Sequence, residues 1–119
     1  HLETLRSIRQ VLKGKGIFIL DFLNLEHVIE HLTPAEHMTK GGINFHIHRR
    51  VANGWIEKSI EFVDCEGASQ HHVERVRAFA PSQLNEMLKQ AGFHSQSQFG
   101  NYYLHPLGNN SHRCIIAAH

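Results

Sequence analysis

No apolar run in this sequence is long enough to cross a bilayer, which takes about twenty consecutive apolar residues as a helix. No basic, apolar, small-residue leader opens the chain either, so a cytoplasmic location is expected and no membrane partner. Cysteine is scarce. Cys65 and Cys114 stand far apart with no Cys-x-x-Cys pair, which argues against both a zinc ribbon and a disulfide framework. Charge of one sign is missing too: 12 Lys and Arg face 11 Asp and Glu, with no basic stripe. Nucleic acid is therefore not an expected partner, because neutralising several phosphates needs clustered cations. No repeat and no low-complexity segment is present, and no acidic residue follows Glu86.

What remains is a 119-residue chain, enough for one domain with a real core. Apolar residues make up 41% and charged residues 19%, both ordinary for a globular protein. The unusual number is twelve histidines, the side chain most readily recruited for metal binding and proton transfer. The chain starts at His1 rather than Met, as a piece of a longer protein would.

Residues 1–12 read as an amphipathic helix, with Leu2, Leu5, Ile8, Val11 and Leu12 at helical spacing. Lys13-Gly14-Lys15-Gly16 ends it, and Ile17-Phe18-Ile19-Leu20 follows as a strand expected to be buried on both faces. Such a strand needs two neighbours, and the rest of the chain supplies them with difficulty. A short helix around Leu25–Leu32 stops at Thr33-Pro34, and Lys40-Gly41-Gly42 reads as a loop. Three strands in a meander come next. Ile43, Phe45 and Ile47 alternate with polar residues, Asn53-Gly54 signals a hairpin, Ile56, Ile60 and Phe62 continue the pattern, and residues 70–79 form a third, more polar strand. Pro81 opens a helix striped by Leu84, Met87, Leu88 and Ala91, which Gly92 closes. Phe93–Tyr103 is a further strand candidate, His105–Asn110 a loop, and Cys114–Ala118 a last buried strand. The order predicts an α/β fold.

The passage Leu12-Lys13-Gly14-Lys15-Gly16-Ile17-Phe18-Ile19-Leu20-Asp21 resembles the helix-to-fifth-strand passage of class I S-adenosylmethionine-dependent methyltransferases. Gly14 stands where that family places proline, and Lys15 where it places a small residue. Leu84 to Phe93 resembles the helix before the sixth strand, and Ser111-His112-Arg113 the Ser-x-Arg lead-in to the seventh. Together these motifs cover residues 1–118. The resemblance implies the C-terminal part of a Rossmann-like methyltransferase sheet, its fifth to seventh strands, with the seventh slotted between the other two. It also implies an inserted three-stranded antiparallel meander over residues 43–79, acting as a lid, with residues 1–42 and 80–119 forming the sheet and helices.

S-adenosylmethionine is the implied cofactor, held mainly by residues upstream of this chain. The family's glycine-rich turn follows its first strand, whereas Gly14-x-Gly16 precedes a strand and Gly41-Gly42 opens no helix. The expected partner is then a small-molecule methyl acceptor, and the unpaired edge of the fifth strand is expected to drive self-association. Ligands of open α/β sheets bind beyond the carboxyl ends of strands, here expected at Asp21 to Asn24. Phe22 and Asn24 are candidate acceptor contacts, and Tyr102 and Tyr103 could each present a phenol, only one of them if both sit on a strand. Arg77 could clamp a carboxylate or phosphate. Ser111 and Arg113 read as residues that fix a loop. No catalytic residue can be named.

Three other readings compete. His27-Val28-Ile29-Glu30-His31 matches the inverted zincin motif but lacks a downstream acidic ligand, since none follows Glu86. His46-x-His48 with Gly100, Pro106 and Gly108 resembles the two motifs of cupins, yet no Glu follows His48 at the required spacing, and two helices interrupt a barrel. His71 and His72 face opposite ways if they lie on a strand. The third reading is a non-catalytic dimerising or interaction module.

Overall fold

The computed structural model describes residues 1–94 and 96–119. The elements are α1 (Leu2–Val11), β1 (Phe18–Leu23), α2 (Leu25–His31), β2 (Ala35–Lys40), β3 (Ile43–Ala52), β4 (Trp55–Val63), β5 (Ser69–Arg77), α3 (Pro81–Gln90), β6 (Gln96–Phe99) and β7 (Arg113–Ala118). They divide into two compact units, His1–Val28 with Phe79–His119, and Ile29–Ala78. No helix among the described residues is long and apolar enough to cross a membrane.

The first unit holds a three-stranded sheet ordered β1-β7-β6. Both pairings are antiparallel, with Phe18 opposite Ala118 and Phe99 opposite Ile115. The seventh strand of the expected sheet thus lies between the fifth and the sixth. Cys114, Ile116 and Ala118 of β7 are fully buried. Against them pack Leu5 of α1, Leu84 and Leu88 of α3, Ala91 and Phe93. Pro81 opens α3, the Gln83 side chain accepts a hydrogen bond from the Ala80 N–H at 2.8 Å, and Gly92 closes the helix at φ +99°. A positive φ there suits glycine alone among common residues without strain.

Three expectations for this unit need correction. The fifth strand is not buried on both faces: Ile17 and Ile19 are 62% and 58% exposed, and no strand pairs with the outer edge of β1 among the described residues. The strand also runs on to Leu23, because Asp21 and Phe22 pair with Ile115 and Cys114. Its carboxyl end is therefore Leu23, and of the stretch Asp21 to Asn24 only Asn24 lies beyond the strand. Val11, placed on the apolar stripe of α1, is 82% exposed.

The second unit is a four-stranded antiparallel sheet ordered β2-β3-β4-β5. The insert has four strands rather than three, because Ala35–Lys40, of which the sequence assigns only Lys40, to a loop, forms β2 and pairs with β3 from Ala35–His48 to Lys40–Ile43. Asn53 and Gly54 turn the β3–β4 hairpin at φ +53° and +79°, the primed turn that matches strand twist. Gly41 and Gly42 turn the β2–β3 hairpin at φ +59° and +77°. Asp64 holds the β4–β5 turn. Its Oδ1 accepts from the Glu66 and Ala68 N–H groups at 3.0 and 2.9 Å, which with the Gln70 side chain holds its carboxyl below the usual range.

Candidate functional site

The carboxyl end of β1 is tied to the loop between β6 and β7. That loop begins early. The expected strand over 93–103 contracts to Gln96–Phe99 (Ser95 lies outside the described residues), because the Asn101 side chain takes over the backbone. Its Oδ1 accepts from the N–H groups of Tyr103 and His105 at 2.9 and 3.3 Å, and Gly100 N–H donates to the His105 carbonyl at 2.8 Å. A side chain that bonds its own following backbone ends a strand in a turn. Tyr102 and Tyr103 consequently sit in a turn and not on a strand, and both phenols are exposed. Strand alternation does not choose between them.

Contact with Asp21 does. The Tyr102 hydroxyl donates to Asp21 Oδ2 at 2.8 Å, and Arg113 Nε donates to Asp21 Oδ1 at 3.0 Å. Asp21 and Arg113 lie diagonally on paired strands and share one sheet face. The hydrogen bond to Asp21, helped by partial desolvation, raises the Tyr102 phenol above its ordinary value of 10.0, while the Arg113 charge opposes the shift. The phenol therefore keeps its proton and stays a donor to Asp21, leaving its oxygen lone pairs for another donor. Beside it opens a groove of about 590 Å³, lined by Asn101, Tyr102, His105, Asn109, His112 and Arg113 among others. The His112 ring lies 4.1 Å from that of His27.

The raised phenol gives a pH expectation with a definite sign. A group whose proton is held more tightly when folded contributes stability below its unfolded pKa and loses it as pH rises through the folded one. The chain has two tyrosines, so ultraviolet titration should contain a tyrosinate component appearing above the ordinary phenol range. Asp21→Asn is expected to bring that component down, and Tyr102→Phe to remove it. A titration identical in Asp21→Asn and the parent chain would show that the contact does not hold in solution.

The remaining candidates fall elsewhere. Phe22 lies within β1 on the core side, 6.1 Å from the Phe79 ring. Asn24 is 1% exposed, and its Nδ2 donates to the carbonyls of Gly108 and Ser111 at 3.1 and 2.8 Å. Its Oδ1 meets no donor among the described residues, leaving one buried acceptor just past β1. Arg77 belongs to the second unit, where its guanidinium lies 4.1 Å from the centre of the Trp55 ring. Ser111 fixes its loop as expected, Oγ accepting from Gly108 N–H at 2.9 Å. Arg113, read as a loop anchor, also orients Asp21. Nothing local in the sequence marks Asp21 as a partner of Tyr102, 81 residues away.

The histidines form no metal cluster among the described residues. His71 and His72 face opposite ways, His71 toward Ser59 at 2.7 Å and His72 toward the Phe62 ring at 5.8 Å. His46 and His48 share a face of β3, while Gly100, Pro106 and Gly108 belong to the other unit. Helices α1 and α3 exclude an all-β cupin barrel.

No protein-family model matches the sequence, and no curated protein matches it. Solved structures do match the fold. A crystal structure of an S-adenosylmethionine-dependent methyltransferase from Clostridium acetobutylicum aligns with a TM-score of 0.78 at 14% identity, over 98% of this chain and 49% of that one. The chain has a methyltransferase fold. The CcbJ methyltransferase of Streptomyces caelestis aligns at 0.74 and 14% identity over 98% of this chain and 48% of its own. DesVI of Streptomyces venezuelae aligns at 0.55 and 12% identity, over 98% and 49%. The chain thus spans about half the length of each. The methyltransferase sheet contributes β1, β7 and β6, and the alignments run through the four-stranded insert as well.

Proposed function

We propose that this chain is the acceptor-side part of an S-adenosylmethionine-dependent methyltransferase acting on a small molecule. The observation that carries this reading is the Tyr102–Asp21–Arg113 network, lying beside an open groove at the carboxyl end of a methyltransferase-fold strand. Open α/β sheets bind ligands at that end. Tyr102 would accept a hydrogen bond from an acceptor amine or hydroxyl, and Asp21 would hold the phenol in place. Arg113 would hold Asp21 in its orientation. Methyl transfer relies mainly on such positioning, with a base needed only where the acceptor has a proton to lose.

The residues described do not fit the cofactor. Gly41 and Gly42 turn a hairpin, Gly92 closes α3, and Gly14 and Gly16 precede β1. The one strand-to-helix turn of the first unit, from β1 to α2, is Asn24 alone and has no glycine. We assign cofactor binding to a segment upstream that also pairs with the outer edge of β1. Left unpaired, that edge is a template for association.

Calorimetry and sedimentation on two lengths of protein test this reading. The 119-residue chain is expected to bind no S-adenosylhomocysteine and to self-associate. A form extended upstream to the length of its structural relatives is expected to bind it saturably and to transfer labelled methyl groups to small amines or hydroxyl compounds. Saturable binding by the shorter chain would overturn the division of labour. A clean monomer at high concentration would overturn the role of the edge. An extended form that neither binds nor transfers would overturn the methyltransferase reading.

A further inference from the structure

One end of the four-stranded sheet carries more positive charge than the sheet itself neutralises. Arg50 of β3, Trp55 and Glu57 of β4, and Arg75 and Arg77 of β5 share a face, because Trp55 pairs with Arg77 while Glu57 pairs with both Arg50 and Arg75. Glu57, only 16% exposed, accepts from Arg50 Nε at 2.6 Å and from Arg75 Nε at 3.0 Å. The Arg50 hydrogen bond, aided by the charges of both arginines, holds the Glu57 carboxyl below its usual range, so it is ionised at neutral pH. Three guanidinium groups then share this face with one carboxylate, an excess of two positive charges. Arg77 has no acidic partner among the described residues.

The arrangement is more than a charged surface. The guanidinium carbons of Arg77 and Arg75 lie 4.1 and 4.7 Å from the centre of the Trp55 ring. Stacking on an indole engages the face of a guanidinium and restrains it, leaving its N–H edge for in-plane hydrogen bonds. Arg77 keeps its whole fork, whereas Arg75 gives its Nε and Nη2 to Glu57 and keeps Nη1. A tetrahedral oxyanion suits this pair, accepting a bidentate bond from Arg77 and a further bond from Arg75. We propose that the Trp55 end of this sheet is a binding site for a single phosphate group, gripped by Arg77 and Arg75 and backed by Arg50.

Charge and spacing select the ligand class. Two unmatched positive charges are balanced by a phosphate dianion and only half balanced by a carboxylate. A nucleic-acid backbone would need the cations to continue along the sheet. Beyond Arg50 and Arg75, however, the same face carries His48, Ser59 and Val73, then His46, Glu61 and His71. The fourth arginine of the sheet, Arg49, faces the other way and is paired with Glu36 at 2.7 Å. The inference needs only the sheet and stands apart from methyl transfer.

Trp55 is the sole tryptophan of the chain, so its fluorescence reports on this site directly. Inorganic phosphate titrated into the chain at slightly alkaline pH and constant ionic strength is expected to change that fluorescence saturably. Phosphorus NMR line broadening should saturate over the same range. Arg77→Gln is expected to weaken binding about tenfold, the loss of one charge-assisted bidentate contact. Arg77→Lys should lie between the two, since it keeps the charge and loses the fork. Circular dichroism establishes that both variants remain folded. Absence of saturation in both signals would overturn the proposal, as would an unchanged response in Arg77→Gln. An equal response to acetate would overturn the choice of a dianion.

Discussion

Leu88→Ala is expected to destabilise the first unit by about 2–5 kcal/mol, the range for truncating a fully buried leucine. Leu88 is 0% exposed and lies one turn beyond Leu84 on α3, among Leu5, Phe93, Cys114 and Ile116. Loss of its isopropyl group leaves a cavity among side chains from α1, α3 and β7. Val11→Ala is the contrasting case. Val11 is 82% exposed, so its truncation should change stability by no more than about 0.5 kcal/mol. Urea titration followed by far-ultraviolet circular dichroism, in which α1 and α3 dominate the helical signal, measures both. Equal midpoints for the two variants would remove Leu88 from the centre of the core.

The residues around Leu88 were legible because period and punctuation agree there. Pro81 and Gly92 bracket an apolar stripe, and Asn53-Gly54 sits between two alternating strands. Each is a local signal whose physical basis survives in the folded chain. The motifs shared with methyltransferases added what local signals lack, the order β1-β7-β6, and the structure bears that order out.

What escaped the sequence was set by distant partners. Ala35–Lys40 has no apolar alternation, and five of its six residues are exposed; it is a strand because β3 offers it an edge. Tyr102 reads as a strand residue because nothing in the string Gly100–His105 announces that the Asn101 side chain will capture two backbone N–H groups. β1 runs past Leu20 to Leu23 for a similar reason: β7 pairs with three more residues than the apolar run suggests. Among the site candidates, Asn24 illustrates the ambiguity best. A buried asparagine after a strand is as well suited to tying two loop carbonyls together as to touching a ligand, and both amide bonds here go to the loop.

That loop also carries the second large expected effect, Gly100→Ala. A methyl group built on Gly100 would overlap Ser111 Oγ and lie 2.6 Å from Ser111 Cβ and 3.2 Å from the Pro106 carbonyl oxygen. The neighbours cannot yield cheaply. Ser111 Oγ is engaged by Gly108 N–H, the Ser111 carbonyl holds buried Asn24, and Gly100 O accepts from the N–H of Arg113. Overpacking of this kind costs about 1–3 kcal/mol, and more where backbone must move. The Asp21 contacts of Tyr102 and Arg113 should loosen with it, so the late tyrosinate component is expected to fall toward the ordinary phenol range. Gly100→Ala combined with Ser111→Gly removes the two closest atoms and leaves only the 3.2 Å approach. Stability and the tyrosine titration should both recover in part in that double variant, beyond what the two single changes predict when added. Strict additivity would mean that Gly100 is required for its backbone and not for the space it leaves to Ser111.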